Sequence, residues 1–210
     1  MSRIILTTMI LWACFSGFLY ADDILGIGVH LGGQHDVGKL SDQESGMQTD
    51  PQNNLLAGIS LKANMSFVFL RTGIDTTFLL NKGKVYEDSS QIKTSKLEYT
   101  AIPGFLGLRF PVKDMGEFYM GGGAAYFLGS GQIVMADGTK EEINTTALGY
   151  GFITGIEFTL VSSMKIYMEW EYIDASSGAV MKTQTTYGWK NLHIDYTGHR
   201  ILFGVMYYLI

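Results

Sequence analysis

Hydrophobic residues alternate with small or polar residues along one continuous stretch in the last third of the chain. Between residues 147 and 160, most large apolar side chains occupy even positions, and mostly small or polar residues, including Glu157, occupy odd positions. The pattern breaks at residues 161–163 and resumes from 164 to 172. Since successive side chains of a β-strand point to opposite faces, this predicts two antiparallel strands joined by a tight turn, each with one apolar face.

The same alternation recurs in six other segments, which gives eight predicted strands. The six cover about residues 25–32, 55–64, 68–80, 99–110, 117–128 and 198–209. Long and short connections alternate, and the long ones cover about residues 34–53, 81–96, 129–144 and 174–192. In an up-and-down barrel every second connection lies at the same end. The sequence therefore predicts an all-β fold, an eight-stranded antiparallel up-and-down transmembrane β-barrel over residues 22–210, with both termini at the short-turn end.

The apolar face of these strands is too long and too aromatic for a sheet in water. Both faces fit if the apolar residues meet lipid and the glycines and polar residues line the interior of a closed barrel. Aromatic residues on the outer face are expected at the two bilayer interfaces. The aromatic residues expected to face the membrane are Phe110, Tyr150, Phe158, Trp170, Tyr172, Phe203 and Tyr207.

The inward parity collects charged residues, which are the main candidates for a site. The interior of an eight-stranded barrel is just wide enough to be filled by side chains, so charges there must be paired or reach water. Two hypotheses stay open. One is an internal salt-bridge network that plugs the lumen, in which Glu169 and Glu171 each bind an arginine and Arg200 is a candidate. The other is a narrow polar path for a small solute. The expected interior polar residues are Lys62, Arg71, Asp75, Arg109, Glu157, Lys165, Glu169, Glu171 and Arg200.

The first 21 residues have the features of a cleavable signal peptide rather than of a folded element. Arg3 precedes an apolar run over residues 4–13, and Ala21 is a suitable small residue before the cleavage site. An alternative is that Cys14, the only cysteine, becomes a lipidated N-terminus. Neither cleavage leaves a disulfide. No run approaches the roughly 18 apolar residues of a transmembrane helix, so a membrane-spanning fold here must be a barrel.

The sequence gives little indication of chemistry. His193 and Asp195 have the residue types of a base and its orienting group, and Ser176 and Ser177 lie nearby, but no nucleophile motif accompanies them. Histidines at strand ends are expected to be rim residues, and no metal-ligand spacing recurs among His30, His35, His193 and His199. The sequence therefore predicts no enzyme, no metal site and no cofactor. A net charge of -5 argues against a nucleic-acid partner.

Two features depart from the regular strand pattern. Pro103 lies inside the fourth predicted strand, and because proline cannot donate a ladder hydrogen bond, a bulge or kink is expected there. Tyr187 and Trp189 lie in a long polar connection. They are expected either to extend the last strand above the membrane or to form an exposed contact patch.

Residues 149–160, Gly-Tyr-Gly-Phe-Ile-Thr-Gly-Ile-Glu-Phe-Thr-Leu, and 165–172, Lys-Ile-Tyr-Met-Glu-Trp-Glu-Tyr, resemble the penultimate hairpin of small outer-membrane β-barrels of the OmpA/OmpX and OmpW types. Residues 204–210 are similar to the terminal strand that the barrel-assembly machinery recognises, although Ile210 replaces the usual final aromatic residue.

The resemblance implies a location in the outer membrane of a diderm bacterium, with periplasmic termini and with lipid and the assembly machinery as partners. It implies two alternative functions. One is a small porin-like or solute-uptake barrel, and the other is a plugged barrel that binds a host or surface ligand through its outer loops.

Overall fold

The computed structural model describes residues 24–37, 39–42, 48–49, 52–79, 83–86, 92–112, 115–135, 138, 140–175 and 192–209. The predicted signal segment, with Cys14, lies outside the described residues, as do Tyr187 and Trp189. The strands of the described part are β1 (Leu25–Val37), β2 (Lys39–Asp42), β3 (Gln48–Thr49), β4 (Gln52–Met65), β5 (Val68–Leu79), β6 (Gly83–Tyr86), β7 (Ile92–Val112), β8 (Gly116–Met135), β9 (Lys140–Val161), β10 (Met164–Asp174), β11 (Leu192–Asp195) and β12 (Gly198–Leu209).

Eight of these strands close into an antiparallel barrel. The order around the barrel is β1, β4, β5, β7, β8, β9, β10, β12 and back to β1, with every neighbouring pair antiparallel. The predicted fold class is therefore confirmed. No helix in the described part of the chain is long and apolar enough to cross a membrane.

One end of the barrel is made of tight turns, and we call it the short-turn end. Ser66 and Phe67 connect β4 to β5, residues 113–115 connect β7 to β8, and Ser162 and Ser163 connect β9 to β10. Gly116 has a φ of 142°, and a Cβ there would overlap the carbonyl oxygen of Glu157, so only glycine fits. The opposite end, from which the longer connections leave, is the long-loop end.

Three of the predicted long connections are shorter than expected, because their strands continue beyond the apolar alternation. β1 runs to Val37, and the β8–β9 hairpin extends to Met135 and Lys140. The short strands β2, β3, β6 and β11 continue the wall on the other side of β7. The large apolar side chains on the outer face of the barrel form a band that we call the apolar belt. Beyond this belt both faces of the strands carry polar residues, so the alternation does not mark the extensions.

Pro103 produces a gap in one ladder rather than the expected bulge. Its pairing with Ala125 on β8 keeps an unbroken register, but β5 and β7 pair only up to Thr72 with Gly104 and again from Asp75 with Ala101. Arg109 donates its backbone N–H to Phe67 before β5, so the odd residues of β7 face β5. The N–H that proline lacks is therefore one that would have bonded to β5.

The two faces of the barrel have the predicted polarity. Large apolar side chains such as Val29, Ile59 and Phe203 are exposed on the outer face, at 61%, 55% and 57%. Side chains of the opposite parity are buried in the interior, including Lys62 and Arg71. The barrel is thus apolar outside and largely polar inside, the reverse of a soluble barrel.

Candidate functional site in the barrel interior

A group of ionic residues fills the interior near the short-turn end, and we call it the lower cluster. Lys62 Nζ donates to Glu117 Oε1 at 2.5 Å and to Glu157 Oε1 at 2.6 Å. Arg109 pairs with the other oxygen of Glu117. Tyr208 donates its hydroxyl to Glu157 Oε2 at 2.7 Å, and Lys165 Nζ lies 3.9 Å from the same oxygen. The members of the lower cluster are Lys62, Arg109, Glu117, Glu157, Lys165 and Tyr208.

A second group, the central chain, alternates in charge across the middle of the barrel. Arg200 pairs with Asp75 and donates to Glu171 Oε2 at 2.8 Å. Arg71 lies 3.1 Å from Glu171 Oε1 and 2.5 Å from Glu169 Oε2. The ionic members of the central chain are Asp75, Arg200, Glu171, Arg71 and Glu169.

A histidine and two tyrosines extend the central chain at its two ends. His30 Nε2 lies 2.8 Å from Asp75 Oδ1, and His30 Nδ1 lies 3.0 Å from the Tyr167 hydroxyl. At the other end, Tyr119 donates to Glu169 Oε1 at 2.6 Å. The Lys62 ammonium lies 3.7 Å from the centroid of the Tyr119 ring, which joins the central chain to the lower cluster.

These contacts cross the full diameter of the barrel. In the order of strands around the wall, β4 lies opposite β9, and β5 lies opposite β10. Lys62 to Glu157 joins the first pair of strands, and Arg71 to Glu169 and Glu171 joins the second. Among the interior residues of these two groups, five cations face five carboxylates, so the buried charges balance. Balanced and hydrogen-bonded pairs are the condition under which buried charge is tolerated.

Toward the long-loop end the interior becomes apolar and aromatic. Tyr196, in the connection from β11 to β12, turns inward and stacks on Phe127 with ring centroids 5.0 Å apart. Its ring also meets Tyr99 edge-on at 5.5 Å, and its hydroxyl bonds to Thr145. Burial raises the pKa of the Tyr196 hydroxyl to about 12, so the ring is neutral at physiological pH. A Cβ on Gly129 would overlap that hydroxyl, so Tyr196 sits in a recess that glycine provides.

All nine sequence-predicted polar residues lie inside the barrel, and Glu169 and Glu171 each bind an arginine, as expected. Arg200 binds Glu171 and Asp75, whereas Glu169 binds Arg71. The parity of side chains along a strand does not predict which arginine binds which carboxylate, because these pairings depend on the stagger between distant strands.

Several interior residues were missed by the sequence reasoning. Glu117 is the second residue of β8, the strand whose parity the glycine run at 121–123 obscures in the sequence. His30 is buried in the lumen at 4% exposure. The parity of the first predicted strand placed it inward, but it was not included among the candidate interior residues. The inward aromatic residues of the lumen were also not singled out; they are Phe69, Tyr99, Phe105, Tyr119, Phe127, Tyr167, Tyr196 and Tyr208.

The seven aromatic residues predicted to face lipid lie on the outer face. Six are exposed and Tyr172 is partly covered. Tyr172 contacts His199, which also stacks on Trp170 with ring centroids 5.6 Å apart. This patch lies next to Asp174, where the outer face of β10 turns from apolar to polar. Such a border fits aromatic residues at a bilayer interface.

Of the residues considered for catalysis, only Asp195 has a described side chain, and its Oδ1 accepts the backbone N–H of Thr197 at 2.9 Å. Ser176 and Ser177 lie outside the described residues, and of His193 only the backbone, in β11, is described. Within the described part of the chain, no three histidine, cysteine or acidic side chains converge as a metal site would require.

No protein-family model matches this sequence, and no curated protein matches it. Solved structures do resemble it. The outer-membrane protein OprG from Pseudomonas aeruginosa aligns with a TM-score of 0.62 and 11% identity, over 89% of this chain and 97% of that one. Neisserial surface protein A aligns with a TM-score of 0.51 and 14% identity, over 87% and 97%. The chain has the fold of the small outer-membrane β-barrels.

Proposed function

We propose that this chain is an outer-membrane β-barrel with a plugged lumen that acts by binding a partner at its long-loop end. The exposed apolar belt supports insertion in a bilayer, because an apolar surface of this extent in water would aggregate. The tight turns and both termini then lie on the periplasmic side, and the extended strands project from the cell. The proposal contains no catalytic step and no cofactor.

The observation that carries this proposal is the pairing of charges across the barrel diameter. A conducting pore needs a continuous water-filled path, and in the described interior the two ionic groups and the aromatic cluster lie in successive layers along the axis. Opening an axial path would require breaking buried ion pairs, and removing one partner of such a pair costs about 3–5 kcal/mol. The barrel therefore serves as a rigid support for its extracellular end.

Conductance across planar lipid bilayers tests the proposal. We expect the wild-type barrel to be silent. The double variant Arg71→Ala/Glu169→Ala should conduct, because it removes both side chains of an ion pair that crosses the barrel and leaves the net charge of the interior unchanged. The matched control Ser130→Ala/Gln132→Ala changes only outward side chains and should remain silent. A wild-type barrel that conducts as much current as a conducting double variant would refute a plugged lumen.

A specific observation favours a second candidate, uptake of a small apolar solute. The gap between β5 and β7 at Pro103 interrupts the wall, and an outer groove of about 710 Å³ lies against it, lined by Thr72, Ile74, Thr76 and Ile102 among others. The inner side of the gap adjoins the apolar cluster through Ala101 and Phe105. A solute entering from the long-loop end would leave sideways into lipid.

Solute entry into liposomes would separate the two candidates. Under the uptake hypothesis, vesicles that contain the barrel accumulate a fluorescent apolar tracer faster than empty vesicles, and Pro103→Ala slows entry by restoring the missing N–H. Equal entry in wild-type, variant and empty vesicles would leave only the binding function.

A further inference from the structure

One part of the outer face combines a groove in the apolar belt with the gap in the β5–β7 ladder. The groove, of about 710 Å³, crosses β4, β5 and β7. On β5 its lining runs from Thr72 to Phe78, which is about 20 Å along the strand. Exposed side chains of Ile59, Ile74 and Ile102 make most of the lining apolar. A groove of this length and polarity, on a face that meets hydrocarbon, fits an extended acyl chain.

The gap leaves one backbone acceptor of this groove without its donor. Asp75 pairs with Ala101, so two positions further along the ladder Gly73 lies opposite Pro103. The ladder bond that proline cannot donate would have ended on the carbonyl oxygen of Gly73. Among the described residues, no backbone bond outside the regular ladders reaches that oxygen. Gly73 is partly exposed and lines the groove, so its backbone can be reached from the lipid side.

A second acceptor lies beside the first. Thr72 lines the same groove, and its Oγ1 donates to the carbonyl oxygen of Pro103 at 2.8 Å. The only hydrogen of this hydroxyl is thereby used, and the oxygen can still accept. The wall thus presents two acceptors next to hydrocarbon, where a polar group without a partner costs free energy. The occupant that fits the groove is therefore apolar along its length and carries a hydrogen-bond donor.

We propose that the groove binds a membrane lipid whose acyl chain carries a hydroxyl group. The hydroxyl donates to the carbonyl oxygen of Gly73, with Thr72 Oγ1 beside it as a second acceptor, and the chain lies along Ile74 and Ile102. An unsubstituted chain fills the same space but supplies no donor. The site opens on the outer face, so this inference does not depend on the state of the lumen or on the proposed binding function.

The test uses the full chain in nanodiscs of dimyristoylphosphatidylcholine, whose chains carry no hydroxyl. The probes are tetradecanoic acid and its two derivatives with a hydroxyl at carbon 3 or at carbon 7, because the carboxylate sets the depth of the chain in the groove. NMR should show a saturable change in the ¹³C shift of the Gly73 carbonyl with at least one hydroxylated acid. That acid should bind about tenfold more tightly than tetradecanoic acid, as expected for one additional hydrogen bond.

The acceptor is tested by restoring the missing donor. Pro103→Ala supplies an N–H that occupies the Gly73 carbonyl oxygen, so the preference for the hydroxylated acid should fall to within about threefold. Pro111→Ala changes another proline of β7, outside the groove lining, and is the matched control that should keep the full preference.

The groove is tested by filling it. Ala57→Leu adds apolar volume to the lining and should weaken binding of all three acids about tenfold. Ala124→Leu makes the same change on the outer face of β8, outside the lining, and should leave their affinities within about threefold of wild type. This pair keeps the inference testable if Pro103→Ala does not fold.

Three results would overturn the inference. The first is equal affinity of the wild type for all three acids, which would fit an apolar solute instead. The second is a preference that Pro103→Ala leaves unchanged, and the third is equal binding by Ala57→Leu and Ala124→Leu. A wild-type dimer that Ala57→Leu dissociates would show that a second copy fills the groove and would also overturn it.

Discussion

Lys62 and Glu157 lie on strands at opposite sides of the barrel, and their side chains meet at its axis with 2.6 Å between Nζ and Oε1. Both are buried, and Lys62 also holds Glu117 at 2.5 Å. Each charge of this group therefore depends on partners from other strands. The pair makes the interior a structural unit that spans the barrel.

Removing the central cation of the lower cluster should destabilise the barrel. Lys62→Met leaves two buried carboxylates with less compensation, and the expected loss in free energy of unfolding is about 3–5 kcal/mol. Urea titration of the barrel in lipid vesicles measures it. The double variant Lys62→Met/Glu157→Gln should recover part of the loss, since Glu117 keeps Arg109 as its partner and Glu157, which Lys165 approaches only to 3.9 Å, no longer carries a charge. Equal stability of Lys62→Met and wild type would show that the cluster is not coupled in this way.

Gly129 should be intolerant of even one added methyl group. In Gly129→Ala the new Cβ would overlap the Tyr196 hydroxyl, so the ring must move and the Thr145 hydrogen bond is lost. We expect a cost of about 1–3 kcal/mol in unfolding free energy. Tyr196→Phe in the same chain removes the oxygen that the methyl group meets, so the double variant should be more stable than Gly129→Ala alone. Strictly additive effects would contradict this packing.

A charge on the outer face tests the orientation of the barrel in lipid. Ile59→Lys places an ammonium within the apolar belt, and the expected cost is about 2–4 kcal/mol if that position is near the bilayer midplane. Ser130→Lys, outside the belt, is the control and should cost less than about 1 kcal/mol. Unfolding in vesicles gives both values. If the two substitutions cost the same, the outer face does not contact hydrocarbon.

The gap at Pro103 should be visible in backbone exchange. Pro103→Ala supplies an N–H directed toward β5, and it should slow hydrogen exchange of the neighbouring amides of β7 and β5. NMR-detected exchange in nanodiscs gives this directly, with the amides facing Ala125 on β8 as an internal control, because that ladder is already intact. Unchanged protection on the β5 side would mean that factors other than proline hold the gap open.

The sequence by itself determined the fold and the facing of most side chains. Alternation has a period of two, so once Leu148 and Phe158 are known to face outward, Glu157 between them must face inward. The regular spacing of tight turns then fixed eight antiparallel strands. Strand ends were less predictable, because beyond the apolar belt Glu142 and Asn144 can lie in a strand or a loop without a change in pattern.

Tertiary structure alone decided which interior groups meet. Arg71 binding Glu169, and Arg200 binding Asp75, depend on barrel closure and on the stagger between strands far apart in sequence. The inward turn of Tyr196 has the same origin. The alternation along the chain predicts which face of a strand a residue occupies. The distances between side chains across the barrel are set only when all eight strands have paired in register.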